Sequence, residues 1–130
     1  MEKRIRVGIR GISGLLGSRL ALAIARQPDM EVVVGIARND ATLARVIRLE
    51  QLLREQGKTL ATTLCLDEPH AVVKSVNAQY APLQFVAADQ LALHKYCDAI
   101  VDATGPGVSK KFNEQYQSYD IPVILQSGEF

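Results

Sequence analysis

The chain has 130 residues and a formal charge of +1, from 15 Lys plus Arg against 14 Asp plus Glu, which excludes the global field that draws a protein to nucleic acid or an anionic membrane. One core serves about 100 to 200 residues, so the length fits a single domain and argues against a two-domain enzyme. At 48% hydrophobic and 22% charged residues, the composition excludes a mostly disordered chain.

The charge is unevenly placed: residues 1–58 hold 11 basic and 6 acidic side chains, and residues 59–130 hold 4 and 8. All nine arginines lie between Arg4 and Arg54. That pattern reads either as a phosphate-attracting face or as solvated helix surface. The start, Met1-Glu2-Lys3-Arg4-Ile5-Arg6, leads directly into an apolar strand, without the apolar run and cleavage site of a signal peptide. No segment approaches the roughly 20 apolar residues of a membrane span. Cys65 and Cys97 form no paired motif and are not a disulfide framework. The expectation is a protein of the reducing cytoplasm.

In chain order, Ile5, Val7 and Ile9 predict a buried strand that stops at Gly11. Gly11, Gly14 and Gly17 punctuate a turn, and Ser18 to Arg26 predicts a helix ended by Pro28-Asp29. Val32 to Ile36 predicts a second strand, its continuous apolar character suiting a parallel sheet covered on both faces. The apolar spacing from Ala41 to Gln56 predicts a long amphipathic helix, with Asn39 or Asp40 as N-cap, Gly57 as C-terminal stop, and Glu50 and Arg54 paired on its outer side. Residues 58–97 alternate apolar runs, Leu60 to Leu66 and Leu83 to Ala87, with a helix near Ala71 to Ala78. Ala99-Ile100-Val101 predicts a strand ending at Asp102, Val108 to Tyr119 a helix, and Pro122 to Leu125 a last strand. Strands alternating with helices predict an α/β fold, a Rossmann-type doubly wound and mostly parallel sheet in a single domain.

A phosphate group needs backbone N–H donors converging at a helix start, and glycine there lets it approach. Gly11-Ile12-Ser13-Gly14-Leu15-Leu16-Gly17 occupies that place between first strand and first helix. Its G-x-x-G-x-x-G spacing is one residue longer than the common G-x-G-x-x-G fingerprint. Gly11, Ser13, Gly14, Leu15, Leu16 and Gly17 are therefore candidate dinucleotide-binding residues, the bland alternative being a glycine turn kept for tight packing. After the second strand, where an acid would bond the adenosine ribose, the chain reads Arg38-Asn39-Asp40. Arg38 offers a 2′-phosphate a planar donor fork, so the reading prefers NADP over NAD, with Asn39 beside it. The alternative leaves Arg38 in solvent and Asp40 as a helix cap. Asp102-Ala103-Thr104-Gly105-Pro106-Gly107 closes a later strand at the carboxyl edge where such sheets bind ligands. Thr104 and Gly105 are candidates for the pyrophosphate or the nicotinamide ribose, or form a tight turn. His70 and His94 lack companions at ligand spacing, so no metal is expected. Cys65 and Cys97 read as small core residues, so no catalytic residue is assigned, and the tyrosines show no base-stacking pattern.

Arg6-Val7-Gly8-Ile9-Arg10-Gly11 with Gly14 and Gly17, Asp98 to Thr104, and Ile124-Leu125-Gln126-Ser127-Gly128-Glu129 together resemble the cofactor domain of archaeal-type glyceraldehyde-3-phosphate dehydrogenases. The resemblance covers roughly residues 4–57 and 98–129. The longer glycine turn is more similar to that of semialdehyde dehydrogenases and dihydrodipicolinate reductases. The resemblance implies an NAD(P)-binding Rossmann domain over residues 1–130, with the nucleophilic cysteine and its histidine partner in a second domain absent from this chain. Neither Cys65 nor Cys97 matches that motif. On this expectation the chain alone binds cofactor and is inactive, its partner being a catalytic domain or a second copy in a homo-oligomer. The rival expectation is a stand-alone, non-catalytic module that senses redox state through bound NAD(P).

Overall fold

The computed structural model describes residues 3–105 and 107–126. Its elements are β1 (Ile5–Arg10), α1 (Leu15–Ala25), β2 (Met30–Ala37), α2 (Leu43–Glu55), β3 (Thr63–Leu66), α3 (His70–Gln79), β4 (Val86–Ala87), α4 (Leu93–Tyr96), β5 (Ala99–Asp102), α5 (Asn113–Gln117) and β6 (Val123–Leu125). Short 3-10 turns at Ala88–Gln90 and Ser109–Phe112 precede α4 and α5. The six strands form one sheet in the order β4-β3-β2-β1-β5-β6, every neighbouring pair parallel. The expected doubly wound α/β sheet is therefore what the sequence folds into. Strand order reverses between β1 and β5, which opens a crevice at their carboxyl ends.

Side chains alternate across a strand, and here they divide the core into two layers. Val7, Ile9, Val32 and Val101 pack with Ala21 and Ile24 of α1, Val46 and Leu53 of α2, and Val73 and Val76 of α3. On the other face Val34, Ile36, Cys65 and Ile100 pack with Leu93 of α4 and Tyr116 of α5. Arg10 is level with Ile36 on one side and Asp102 on the other, so a charged side chain enters the second layer at the mouth of the crevice.

Element boundaries differ from the periodicity in instructive ways. Helix α1 begins at Leu15 rather than Ser18, because Gly14 is the last extended residue and Gly17 already lies in the first turn. Helix α2 runs from Leu43, with Thr42 at its N-cap position. Asp40 serves from outside, its Oδ1 accepting the Thr42 backbone N–H at 2.8 Å. Gly57, at φ +72, stops α2 as expected: its N–H donates to the Arg54 carbonyl at 3.0 Å and that of Lys58 to Leu53 at 2.8 Å, a Schellman closure. Glu50 is a correction. It is 3% exposed, not on the outer side, because its Oε2 accepts the Leu60 N–H at 2.8 Å while Arg54 reaches it from solvent at 3.4 Å. The helix expected from Val108 to Tyr119 is the 3-10 turn followed by the five-residue α5. Pro106 and the Ser127-Gly128-Glu129 part of the late signature lie outside the described residues.

Candidate functional site

The glycine turn sits where β1 hands over to α1. Gly11 has φ +85, a backbone conformation that L side chains rarely adopt, and a Cβ there would stand 2.9 Å from the Ala103 carbonyl carbon and the Thr104 nitrogen. The N–H groups of Gly11 and Ile12 both donate to the Ile36 carbonyl, at 2.9 and 3.1 Å, which ties the turn to the end of β2. Gly17 is bare for a different reason: its Cβ would lie 2.0 Å from the Gly11 oxygen, so only glycine lets the helix sit this close to the turn. Gly14 is under no such pressure, the nearest atom to a Cβ being Gly11 O at 3.4 Å. Among the described residues no side chain caps the first turn of α1, and Leu15 and Leu16 are 58% and 49% exposed.

Gly11, Ser13, Gly14, Arg38, Thr104 and Gly105 line one cleft of about 170 Å³ at the carboxyl ends of the strands. The fold thus brings together three separate stretches of sequence. Asp40, Thr42 and Asp67 share the lining, whereas Asn39 does not; it is exposed and its N–H donates to Glu68 Oε1 at 3.2 Å. Ser13, the additional residue of the glycine turn, is fastened to α2. Its Oγ donates to Thr42 Oγ1 at 2.9 Å, whose own proton goes to Asp40 Oδ1 at 2.5 Å, and its carbonyl accepts from Arg45 Nη1 at 3.0 Å. A larger hollow of about 430 Å³, lined by Arg4, Arg26, Glu31 and Lys58 among others, lies at the opposite end of the sheet. There the helices present their carbonyl ends, which disfavours an anion.

Beneath the cleft lies a buried polar network that the linear sequence does not announce. Arg10 is 2% exposed and grips Asp67 through Nε–Oδ2 and Nη2–Oδ1, both 2.9 Å. Its Nη1 donates to the Tyr116 hydroxyl at 3.1 Å, and its guanidinium carbon lies 3.6 Å from the centre of the Phe112 ring. The Tyr116 hydroxyl donates to Asp102 Oδ2, and Asp102 Oδ1 accepts both the backbone N–H and the hydroxyl of Thr104. Burial opposes the Arg10 charge, but Asp67 and Tyr116 more than offset it and hold its pKa above the ordinary value. Burial likewise pushes the Tyr116 hydroxyl up, so it stays protonated. The one signal available in the sequence was a charged residue at the end of each of two buried strands, Arg10 and Asp102. Asp67 and Tyr116 gave none, since they lie 57 and 106 residues from Arg10 along the chain.

Cys65 and Cys97 are 0% and 2% exposed, as small core residues are. Burial pushes their thiols up to about 12 and about 11, so neither supplies a thiolate near neutral pH. Among the described residues no three His, Cys, Asp or Glu side chains are grouped to hold a metal ion, and no helix is long and apolar enough to cross a membrane.

No protein-family model matches the chain. Among curated proteins it is similar to glyceraldehyde-3-phosphate dehydrogenase of Halobacterium salinarum, 35% identical over 132 residues that cover 96% of this chain and 33% of the relative. The enzymes of the same name from Sulfolobus acidocaldarius and Thermococcus kodakarensis are 31% and 28% identical over 97% of the chain and 32% and 33% of their own lengths. The chain therefore spans about a third of the length of the relatives it matches. The resemblance read from the two ends of the sequence is borne out and runs through residues 58–97 as well.

Proposed function

We propose that this chain is the NAD(P)-binding domain of a glyceraldehyde-3-phosphate dehydrogenase-like oxidoreductase and that it prefers NADP to NAD. The observation that carries the reading is a glycine turn at the reversal of strand order, directly below the uncapped first turn of α1, with Arg38 and Thr104 lining the same cleft. Gly14 supplies the test of fit. Among the described residues nothing forbids a Cβ at this position, and Gly14 lines the cleft, which supports room there for a ligand. On this reading Gly11, Ser13, Gly14, Leu15, Leu16 and Gly17 surround the pyrophosphate, chiefly through backbone N–H groups. Arg38 and Asn39 take the adenosine end, and Thr104 and Gly105 the pyrophosphate or the nicotinamide ribose. The nicotinamide, when bound, accepts or returns a hydride. The chain's own residues hold it.

The proposal extends to the rest of such an enzyme. The nucleophilic cysteine belongs to a separate catalytic domain, since both cysteines here are buried with raised pKa values; the 130-residue chain binds cofactor and oxidises no aldehyde. Exposed Leu15, Leu16 and Ile124 support docking of that domain or of a second copy. Two unpaired cysteines support the cytoplasm as its compartment.

Calorimetric titration of the chain with NADP and NAD tests the reading. A charge-assisted bond from Arg38 to a 2′-phosphate contributes about 1.5 to 3 kcal/mol, or roughly ten- to hundredfold. Arg38→Ala lowers NADP affinity by that order, leaves NAD nearly unchanged, and removes a preference that also declines with salt. Equal losses for both cofactors, or none, remove Arg38 from the site, and absence of binding by either overturns the dinucleotide reading.

A further inference from the structure

The buried network below the cleft has a direction, and that direction reaches the ligand. Arginine carries only donors and no acceptor. Because Arg10 Nη1 donates to the Tyr116 oxygen, the Tyr116 proton points onward to Asp102 Oδ2. The other oxygen of that carboxylate already accepts the Thr104 backbone N–H at 3.0 Å, so it is an acceptor for the Thr104 hydroxyl proton as well. Arg10 itself cannot turn away, since Asp67 holds its two other nitrogens. Both protons that Thr104 could offer a ligand, on its nitrogen and on its hydroxyl, are therefore committed inward. What half-buried Thr104 presents to the cleft is oxygen lone pairs.

We propose that Arg10 and Asp102 are positioning residues that lock Thr104 as a hydrogen-bond acceptor, so that this point of the cleft takes a sugar hydroxyl and turns away a phosphate oxygen. This rests on the dinucleotide reading and sharpens it: of the two groups open to Thr104, the pyrophosphate and the ribose on the nicotinamide side, the ribose is selected. A phosphate oxygen brings only lone pairs, which would face the lone pairs of Thr104. A ribose hydroxyl brings the missing proton. Turning the Thr104 hydroxyl round to donate outward would strip Asp102, 0% exposed, of a charge-assisted bond that no solvent replaces.

The test compares ADP, which has the pyrophosphate but lacks the second ribose, with ADP-ribose, which has both, titrated against the full 130-residue chain. The wild type binds ADP-ribose more tightly than ADP by about tenfold, the size of one good hydrogen bond. Thr104→Val, similar in shape but without the acceptor, brings ADP-ribose down to the level of ADP and leaves ADP unchanged; Thr104→Ser restores the difference. Asp102→Asn narrows the difference by another route, raising ADP rather than lowering ADP-ribose. Its amide oxygen must face the Tyr116 proton, which leaves N–H groups toward Thr104 and frees the Thr104 proton for the cleft. A merely structural role for Thr104 or Asp102 lowers both affinities together, and that outcome overturns the assignment, as does an unchanged ratio. Should Asp102→Asn not fold, the Thr104 pair decides alone. If neither ADP nor NADP binds the wild type, the dinucleotide reading fails and this assignment with it; if either binds and ADP-ribose shows no gain over ADP that responds to these variants, only the assignment fails.

Discussion

Arg10 and Asp67 lie 57 residues apart in sequence and meet as a two-pronged pair, with both N–O distances 2.9 Å, across the end of β2. The arginine is 2% exposed and the aspartate side chain 15%. Removing one partner of a buried pair strands the other charge and costs about 3 kcal/mol or more, whereas replacing both with apolar groups costs much less. Arg10→Met is therefore expected to lower unfolding stability by about 3 kcal/mol, and Arg10→Met with Asp67→Leu by less than the single change. Urea titration of the three proteins measures this, and a double mutant no more stable than Arg10→Met would refute it.

Glu50 separates a backbone cap from an ion pair. Its carboxylate holds the Leu60 N–H from a buried position, while its partner Arg54 is 54% exposed on the side chain. Glu50→Ala leaves a buried N–H without an acceptor and is expected to cost about 2 kcal/mol. Arg54→Ala, which takes a half-exposed partner from a buried carboxylate but leaves the Leu60 N–H on it, costs less, about 1 kcal/mol. Chemical unfolding of both variants distinguishes the roles, and equal losses would show that the ion pair, not the cap, carries the stability.

The glycines of the turn differ in what they serve. A Cβ at Gly17 meets the Gly11 oxygen at 2.0 Å, so Gly17→Ala must push α1 off the turn and is expected to destabilise by about 3 kcal/mol, at the upper end for overpacking. A Cβ at Gly14 meets only ordinary contact at 3.4 Å, and Gly14→Ala should change stability by less than about 1 kcal/mol. Its effect belongs to the ligand, with NADP binding weakened while the melting curve stays put. A Gly14→Ala protein that binds NADP as the wild type does removes that glycine from the site.

Acid sensitivity should pass through Asp98. The Arg6 side chain and the Arg6 backbone N–H both donate to its carboxylate and lower its pKa from an ordinary 3.8 to about 2. A depressed acid contributes stability above its unfolded pKa and loses it as pH falls through the folded one. The contribution is thus complete above about pH 5 and gone below about pH 2. Thermal unfolding of wild type and Asp98→Asn should show a gap at neutral pH that closes between pH 4 and 2 and narrows with salt, because the pair is partly exposed. A gap constant over that range assigns the loss to something other than titration.

Much of this protein is written locally. The β-branched run at Val7 and Ile9, the glycines behind it and the apolar run at Val32 to Ile36 specify strand, turn, helix and strand because each depends on neighbours within a few residues. Parallel pairing follows, since strands buried on both faces and joined through helices have few other arrangements. That Gly11, Gly14, Arg38 and Thr104 would share one cleft was legible for the same reason: each stands at or just past the carboxyl end of a readable strand, and strand ends meet at one edge of such a sheet.

What spacing could not supply was partnership across the sheet. Glu50 looked like a solvent residue because its exposed partner Arg54 is four positions away; its burial comes from Leu60, on the loop that α2 folds back toward β3. Residues 58–97 were obscure because a two-residue strand such as β4 owes its existence to pairing with β3 rather than to its own sequence. The sequence by itself determined the order of elements and the chemistry offered at the strand ends. Only the tertiary structure decided that Arg10, Asp67, Tyr116 and Asp102 join in one buried chain of hydrogen bonds ending at Thr104. Hydrogen bonds are made between neighbours in space, and packing α5 over the ends of β1 and β5 is what makes these residues neighbours.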